Sequence, residues 1–313
     1  MEEYAGPKIY AGPMEGITNY LFRNAYQRHF SGIDTFFTPF VTGTHLSKKE
    51  KKDICRENNP GMDVVVQVLS NQTEDFLSVA HIVSEDFGYD HLNLNLGCPS
   101  ATVTSRRRGA GFLTEPEKLE RFLDEIFARS PVSISVKTRI GMHDASSWED
   151  ILSLYERYPL TELIIHPRIR DAFYGGLPDL DAFALAYRKS SHPHCYNGNL
   201  FHLEDFEKIM ERFPSLPAVM IGRGLLINPF LPEEIKHLSV PGGKTERLKA
   251  FEEDLRTSLL TYTEGGPHKV LEKMKEVWGF YCYNFDKPEK LLKKIRKSQT
   301  LDAYLSVMRE VFP

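Results

Sequence analysis

A lone cysteine closes the apolar stretch NLNLGCPS, residues 93–100, with Gly97 before it and Pro99 after it to stop a strand. Free cysteine is among the most buried residue types, so Cys98 reads first as a small hydrophobe packed under a turn. The sharper reading presents its thiol to a substrate. A thiol with the ordinary pKa of about 8.5 is mostly protonated at neutral pH and can donate its proton. Cations close by would lower that value and make the sulfur a base or nucleophile instead. Lys137 and Arg139, in VSISVKTRI, are the cations in question. The four cysteines, Cys55, Cys98, Cys195 and Cys282, are far apart, with no C-x-x-C pair and no metal-ligand spacing. Free thiols in a reducing compartment, and no bound metal, are the expectation.

These residues need a frame to bring them together. Short apolar runs recur through the first 225 residues, with helix-length segments between them. Strands are expected at 8–14, 33–39, 63–69, 91–97, 132–140, 162–168, 194–199 and 217–223. Runs rich in Val, Ile and Leu, separated by helices, signal parallel strands covered on both faces. Among the helices, TEPEKLERFLDEIFARS offers Thr114 as a cap and Pro116 in its first turn. Eight such units fit an α/β fold of the (β/α)8 TIM-barrel type better than an open doubly wound sheet. That fold gathers its reactive groups at the C-terminal ends of the strands. Seven of the eight expected strands finish in polar residues there: Met14 and Glu15, Gln67, Asn95 to Cys98, Lys137 to Arg139, His166 to Arg168, Asn197 to Asn199, and Gly222 with Arg223.

After Pro241-Gly242-Gly243 the pattern changes. Segments 244–263, 267–283, 287–297 and 299–311 read as helices without a strand among them. The expected division is a barrel over 1–242 and a small helical bundle over 243–313. The bundle holds 14 Lys+Arg against 11 Asp+Glu, a balance of +3 in a chain whose net charge is −4, so the barrel carries −7. A basic appendage on an acidic body hints at a polyanionic partner. The opening MEEYAGPKIY is acidic and lacks the apolar stretch of a secretory signal, and no run of about 18 apolar residues could span a membrane. A cytoplasmic monomer is expected.

Two glycine-bearing segments, YNGN (196–199) and IGRG (221–224), end the seventh and eighth strands. In barrels that is the recurrent phosphate site, and Arg223 adds a charge that binds phosphate through paired hydrogen bonds. A phosphate-bearing cofactor gives Lys137 and Gln67 a role. A flavin at the barrel mouth needs a cation near its N1–C2=O edge and an amide at its pyrimidine edge. The plainer role for Lys137 is a lysine snorkelling from a strand end.

GPMEGITNYLFR, QVLS, LNLNLGCPSATVTSRRRGAGFL, SVKTRIG, IIHPRIRDAFYGG, CYNGN and AVMIGRGLLINPFL follow in order. Over residues 7–232 they resemble the tRNA-dihydrouridine synthases, flavin-dependent enzymes that reduce uridines in transfer RNA. The resemblance implies FMN as cofactor and NADPH or NADH as a transient external reductant. It implies that Pro13, Met14 and Glu15 meet the flavin edge through backbone, and that Gln67, Lys137 and His166 flank the ring and ribityl chain. Asn197, Gly198, Asn199, Gly222 and Arg223 would bind the chain and phosphate. Cys98 resembles the family's proton donor, and Asn95 and Arg139 its contacts to the target uridine. Asn93, two residues from Asn95, shares its strand face and could orient the same base.

The chain departs from the family at Thr102, where a lysine is common, and at Ile169, where His-x-Arg-Thr-Arg is common. A base in folded RNA must be extruded before it can be reduced, which calls for a second grip on the RNA. KPEKLLKKIRK offers one, with Lys287, Lys290, Lys294 and Lys297 spaced to share a helix face and Leu291 and Ile295 packing inward. A merely solvated lysine helix is the plainer account. Arg106, Arg107 and Arg108 read equally as phosphate contacts or as a solvated face. Two other functions compete: a flavin barrel acting on a free pyrimidine, like the dihydroorotate dehydrogenases, and a non-catalytic RNA-binding barrel.

Overall fold

The computed structural model describes residues 4–313, so the first three residues of the acidic N-terminal segment lie outside it. Eight parallel strands close into a barrel: β1 Lys8–Ala11, β2 Thr35–Phe37, β3 Val64–Val68, β4 His91–Leu96, β5 Ser133–Arg139, β6 Leu163–His166, β7 His194–Tyr196 and β8 Ala218–Ile221. Each pairs with the next, and β8 returns to β1 with Lys8 opposite Ala218. All eight expected strands are present, and each stops one to three residues short of its expected end. Pro13, Pro167, Gly198 and Gly222 follow within three residues of the last paired positions, and neither residue type sustains a ladder. The polar groups of β1, β6, β7 and β8 therefore sit mostly on loops just past the sheet.

Inside the barrel Tyr10, Phe37, Val65, Ile164, Cys195, Ala218 and Met220 form a separate apolar plug. The outer core lies between sheet and helices. The helix Tyr20–His29 shows how the sequence builds it. Asn19 caps it by accepting from the amides of Leu21 (3.1 Å) and Phe22 (3.2 Å), and Leu21, Phe22, Ala25 and Tyr26 form its buried stripe. One cap differs from expectation. The helix Pro116–Arg129 starts after Glu115, while Thr114 closes the preceding turn by donating to the Gly111 carbonyl.

The tail helices are Lys244–Tyr262, Gly266–Tyr281, Pro288–Lys297 and Leu301–Val311. They pack on the barrel through Phe251, whose ring meets Phe22 at 5.7 Å and Phe30 at 5.4 Å, both edge-on. Burying such a ring contributes about 1.5–3 kcal/mol. Among themselves they enclose Trp278, whose Nε1 donates to the Tyr304 hydroxyl, which donates in turn to Glu252. Among the described residues no helix is long and apolar enough to cross a membrane.

Candidate active site

The strand ends surround a cleft of about 890 Å³, measured out to its open mouth. Pro13, Met14, Glu15, Gln67, Asn95, Cys98, Lys137, Arg139, His166, Asn197, Gly198, Gly222 and Arg223 all line it. Asn199 stands just behind, its Oδ1 accepting from Arg168 (3.1 Å) and Arg223 (3.0 Å). Lys287, Lys290, Lys294 and Lys297 lie elsewhere, on the tail.

Strand register sets which groups are neighbours. Gln67 pairs with Asn93, Asn95 with Lys137 and Arg139 with His166. The first two pairs start a ladder of amides. Asn93 donates to Ser135 (2.8 Å), Gln67 donates to Asn93 (2.8 Å), and Asn95 donates to Gln67 (2.6 Å). With its NH2 so fixed, Asn95 turns Oδ1 toward the thiol loop and accepts from the amides of Gly97 (3.0 Å) and Cys98 (2.8 Å). Asn95, expected at the uridine, thus has both ends of its amide engaged on the protein, holding the turn that carries the sulfur. The loop beyond folds back onto that turn at Gly109, in a left-handed conformation (φ +54°). A Cβ there would lie 2.8 Å from the Cys98 carbonyl oxygen, so only glycine fits.

Burial pushes the Cys98 thiol upward in pKa. Arg139 and Lys137 pull against it, but burial prevails and the sulfur keeps its proton at neutral pH. Lys137 is pushed the other way, down to about 8, first by burial and then by the Arg139 charge. Arg139 is buried, and its guanidinium donates to the carbonyls of Gly97 (3.0 Å), Ile169 (2.9 Å) and Phe173 (2.7 Å). It is a tie between the β4 and β6 loops. His166 accepts at Nε2 from Arg168 (3.0 Å), and a guanidinium only donates, so the ring proton of the neutral imidazole sits on Nδ1. Burial, with Arg139, Lys137, Arg168 and Arg223 around it, holds His166 well below the usual histidine range and therefore neutral.

Lys137, Arg139 and Arg223 thus converge on one cleft, with Arg168 bonded to His166 next to them, and no carboxylate among the described residues is paired with any of the four. Burying charge without an opposite partner is costly, and such a cluster is built to receive an anion. The cleft fits FMN on that ground and on two more. Lys137 has no partner for its ammonium among the described residues, and a Cβ at Gly222 would meet open space, so bare backbone faces the cavity there. Among the described residues no cluster of His, Cys, Asp or Glu is placed to hold a metal ion.

Some lining residues escaped the sequence reading. Tyr174, half exposed, lies over the cleft with the guanidinium carbons of Arg223 and Arg139 at 4.7 and 5.7 Å from its ring centre. Phe201 backs Arg223 at 5.3 Å, and Pro39 and Phe40 supply the β2 wall. An aromatic pair beside Gly175-Gly176, in an otherwise polar loop, was the available signal for Tyr174. Arg168, read only as part of a strand end, anchors that loop by donating to the Gly175 (3.1 Å) and Gly176 (2.7 Å) carbonyls. Two of the three arginines after the thiol are engaged on the protein. Arg108 pairs with Asp75 (3.4 Å) and Arg107 donates to Thr114 (2.9 Å), leaving Arg106 exposed. Thr102, in place of the family lysine, is exposed and bonded to Ser100 at 2.9 Å.

Known proteins agree with this geometry. The family model described as dihydrouridine synthase (Dus) matches residues 9–309. A tRNA-dihydrouridine(16) synthase of Cupriavidus necator is 29% identical over 241 residues, covering 74% of each chain. Another of that name, from Neisseria meningitidis, is 25% identical over 308 residues and covers 94% of this chain and 92% of its own. Morphinone reductase in complex with tetrahydroNAD superposes at a TM-score of 0.50 and 12% identity over 78% of this chain and 90% of its own, a likeness of fold alone. With the match running almost from end to end and the cationic cleft in place, this chain belongs to the dihydrouridine synthase family.

Proposed function

We propose that the protein reduces the C5=C6 bond of a uridine in tRNA to 5,6-dihydrouridine, with FMN in the cleft and NADPH or NADH as external reductant. The observation that carries this reading is a buried thiol with Lys137 and Arg139 beside it and Arg223 on the same cleft, none paired with a carboxylate among the described residues, at the mouth of a barrel of this family. Bound reduced FMN supplies the hydride for C6. Cys98 donates its proton to C5, and its raised pKa keeps that proton available across the neutral range. Lys137 and the Nδ1–H of His166 offer a charge and a neutral donor to the ring and its side chain. Arg223, bare backbone at Gly222, and Asn197 and Gly198 form the phosphate end. Asn95 and Arg139 hold the thiol turn from either side while they line the substrate's space. Tyr174 offers the incoming base a ring to stack on.

The helices after Gly243 serve as an RNA-binding unit. Lys290, Lys294 and Lys297 are exposed on the helix Pro288–Lys297, and Ile295 is buried beneath them. Lys287 is exposed and precedes that helix as its N-cap in a left-handed conformation (φ 52°). The competing dehydrogenase reading would leave the basic tail without a job. Incubating unmodified tRNA with the protein, FMN and NADPH, followed by mass spectrometry, tests the proposal. One uridine should gain the mass of two hydrogen atoms; unchanged tRNA, with reduction of free uracil or orotate in its place, would overturn it.

A further inference from the structure

β2 is the one strand that brings no polar group to the cleft, contributing only Pro39 and Phe40. Its connection to β3 runs straight on into the helix Lys48–Ile54, KKEKKDI, with four lysines among seven residues. Such a run usually neutralises itself through pairs between neighbouring turns. Here both acids are spent elsewhere. Glu50 closes a capping box by accepting from the Ser47 amide (2.8 Å), and it also accepts from the Thr42 amide (3.3 Å). Asp53 turns inward to the Tyr20 amide (2.5 Å) and the buried Arg23 (3.5 Å). Lys48, Lys49, Lys51 and Lys52 are left exposed, on a helix fixed at both ends, with no ion pair among the described residues.

These lysines divide between two faces. Lys48, Lys51 and Lys52, spaced i, i+3, i+4, edge a surface groove of about 690 Å³ whose other walls are Leu46, Cys55, Asn58 and Phe87. Lys49 lies toward the cleft instead, within electrostatic reach of Glu15. A stripe of positive charge therefore runs from the cleft's edge to a groove that combines cations with an aromatic and an aliphatic side chain.

We propose that this groove grips the phosphodiester backbone of the tRNA on the β2 side of the mouth, a second hold separate from the helical tail. The proposal rests on the reading of the protein as an enzyme acting on tRNA. Three ammonium groups match a strand with one charge per nucleotide, and Phe87 with Leu46 offers an apolar wall for a base or ribose. An acidic protein would match the charge but has less use for that apolar wall.

The test compares the flavin-loaded full chain with its K48Q/K51Q/K52Q variant, which touches neither the cleft nor the buried anchors of the helix. A second variant, K118Q/K189Q/K208Q, removes the same charge from exposed sites elsewhere. Three lost phosphate contacts should flatten the plot of log Kd for tRNA against log salt by about 2–3. KM for tRNA should rise about tenfold or more at moderate salt, with kcat at saturating tRNA unchanged. An unaltered slope, or the same change in both variants, would overturn the groove and leave an acidic protein or bulk charge as the explanation. If the wild-type protein bound tRNA without forming dihydrouridine, the enzymatic reading would fail, while the slope would still decide the groove.

Discussion

Lys137, Arg139, Arg168 and Arg223 are gathered at the barrel mouth among carbonyls, amides and aromatic rings, whereas Lys290, Lys294 and Lys297 stand on the outside of the helix Pro288–Lys297 in water. On the tail, the Lys294 ammonium meets the Glu310 carboxylate at 2.6 Å, both side chains largely exposed. An exposed pair of that kind contributes little, typically about 0–1 kcal/mol. In the cleft none of the four cations forms an ion pair with a carboxylate among the described residues, although Glu15 lines the same space. Water supports the tail cations on its own, and any RNA contact they make would be indifferent to base and weaken with salt. The cleft cations give up much of their water, and Arg139, Arg168 and Arg223 are fixed by hydrogen bonds to the protein, an arrangement suited to orienting an anion. The same residue types are thus suited to diffuse work in one region and directed work in the other.

That contrast is most easily broken at the sulfur. Cys98→Ala removes one atom from the cleft and should lower uridine reduction by about 10²–10⁴-fold at saturating tRNA, the range for loss of a general acid. Flavin content, read by absorbance, should be unchanged. A smaller effect is expected of Lys137→Ala, which should weaken cofactor retention and slow turnover about 10–100-fold, as for loss of one preorganised charge. The same residue sets a pH limb. A lysine lowered to about 8 is charged below that value and neutral above it, so the rate should fall as pH rises past about 8. Lys137→Arg should move that limb upward.

Asn95→Ala sharpens the comparison from within the cleft. It leaves the Gly97 and Cys98 amides and one end of Gln67 without partners, which destabilises by about 1–3 kcal/mol. It should also lower kcat several-fold with KM for tRNA little changed, separable by thermal unfolding and steady-state kinetics. The smallest effect on chemistry belongs to the tail. Reversing charge at Lys290, Lys294 and Lys297 should weaken tRNA binding and flatten its salt dependence, yet leave kcat at saturating tRNA intact. A large fall in kcat there would erase the distinction between the two regions.

Much of this was legible in the chain. A run such as DVVVQVL announces a buried parallel strand because it is apolar nearly throughout, while VSISVKTRI keeps its apolar residues on one face and sets Ser133, Ser135, Lys137 and Arg139 on the other. Glycine and proline mark where those strands give way to functional loops. Thirteen of the expected cleft residues are brought together because their strand ends share one rim. What stayed hidden are relations between side chains far apart in sequence. Nothing near Asn95 says that Gln67 will take its NH2 and free its oxygen for the Cys98 turn. The strand pattern cannot show that Arg168 will fix the tautomer of His166 while anchoring Gly175 and Gly176. The acids in KKEKKDI look like neutralising partners until the fold spends Glu50 on the helix cap and turns Asp53 inward.

The account stands on a flavin lying against the Cys98 sulfur, and a single turnover tests that contact directly. Protein purified with its cofactor is reduced, freed of excess nicotinamide and mixed with unmodified tRNA while flavin absorbance is followed. The wild type should regain its oxidised spectrum in step with one dihydrouridine per flavin, and Cys98→Ala, equally loaded, should lag by about 10²-fold or more. Reoxidation of Cys98→Ala at the wild-type rate with full dihydrouridine yield, or a wild-type protein that retains no flavin, would contradict it.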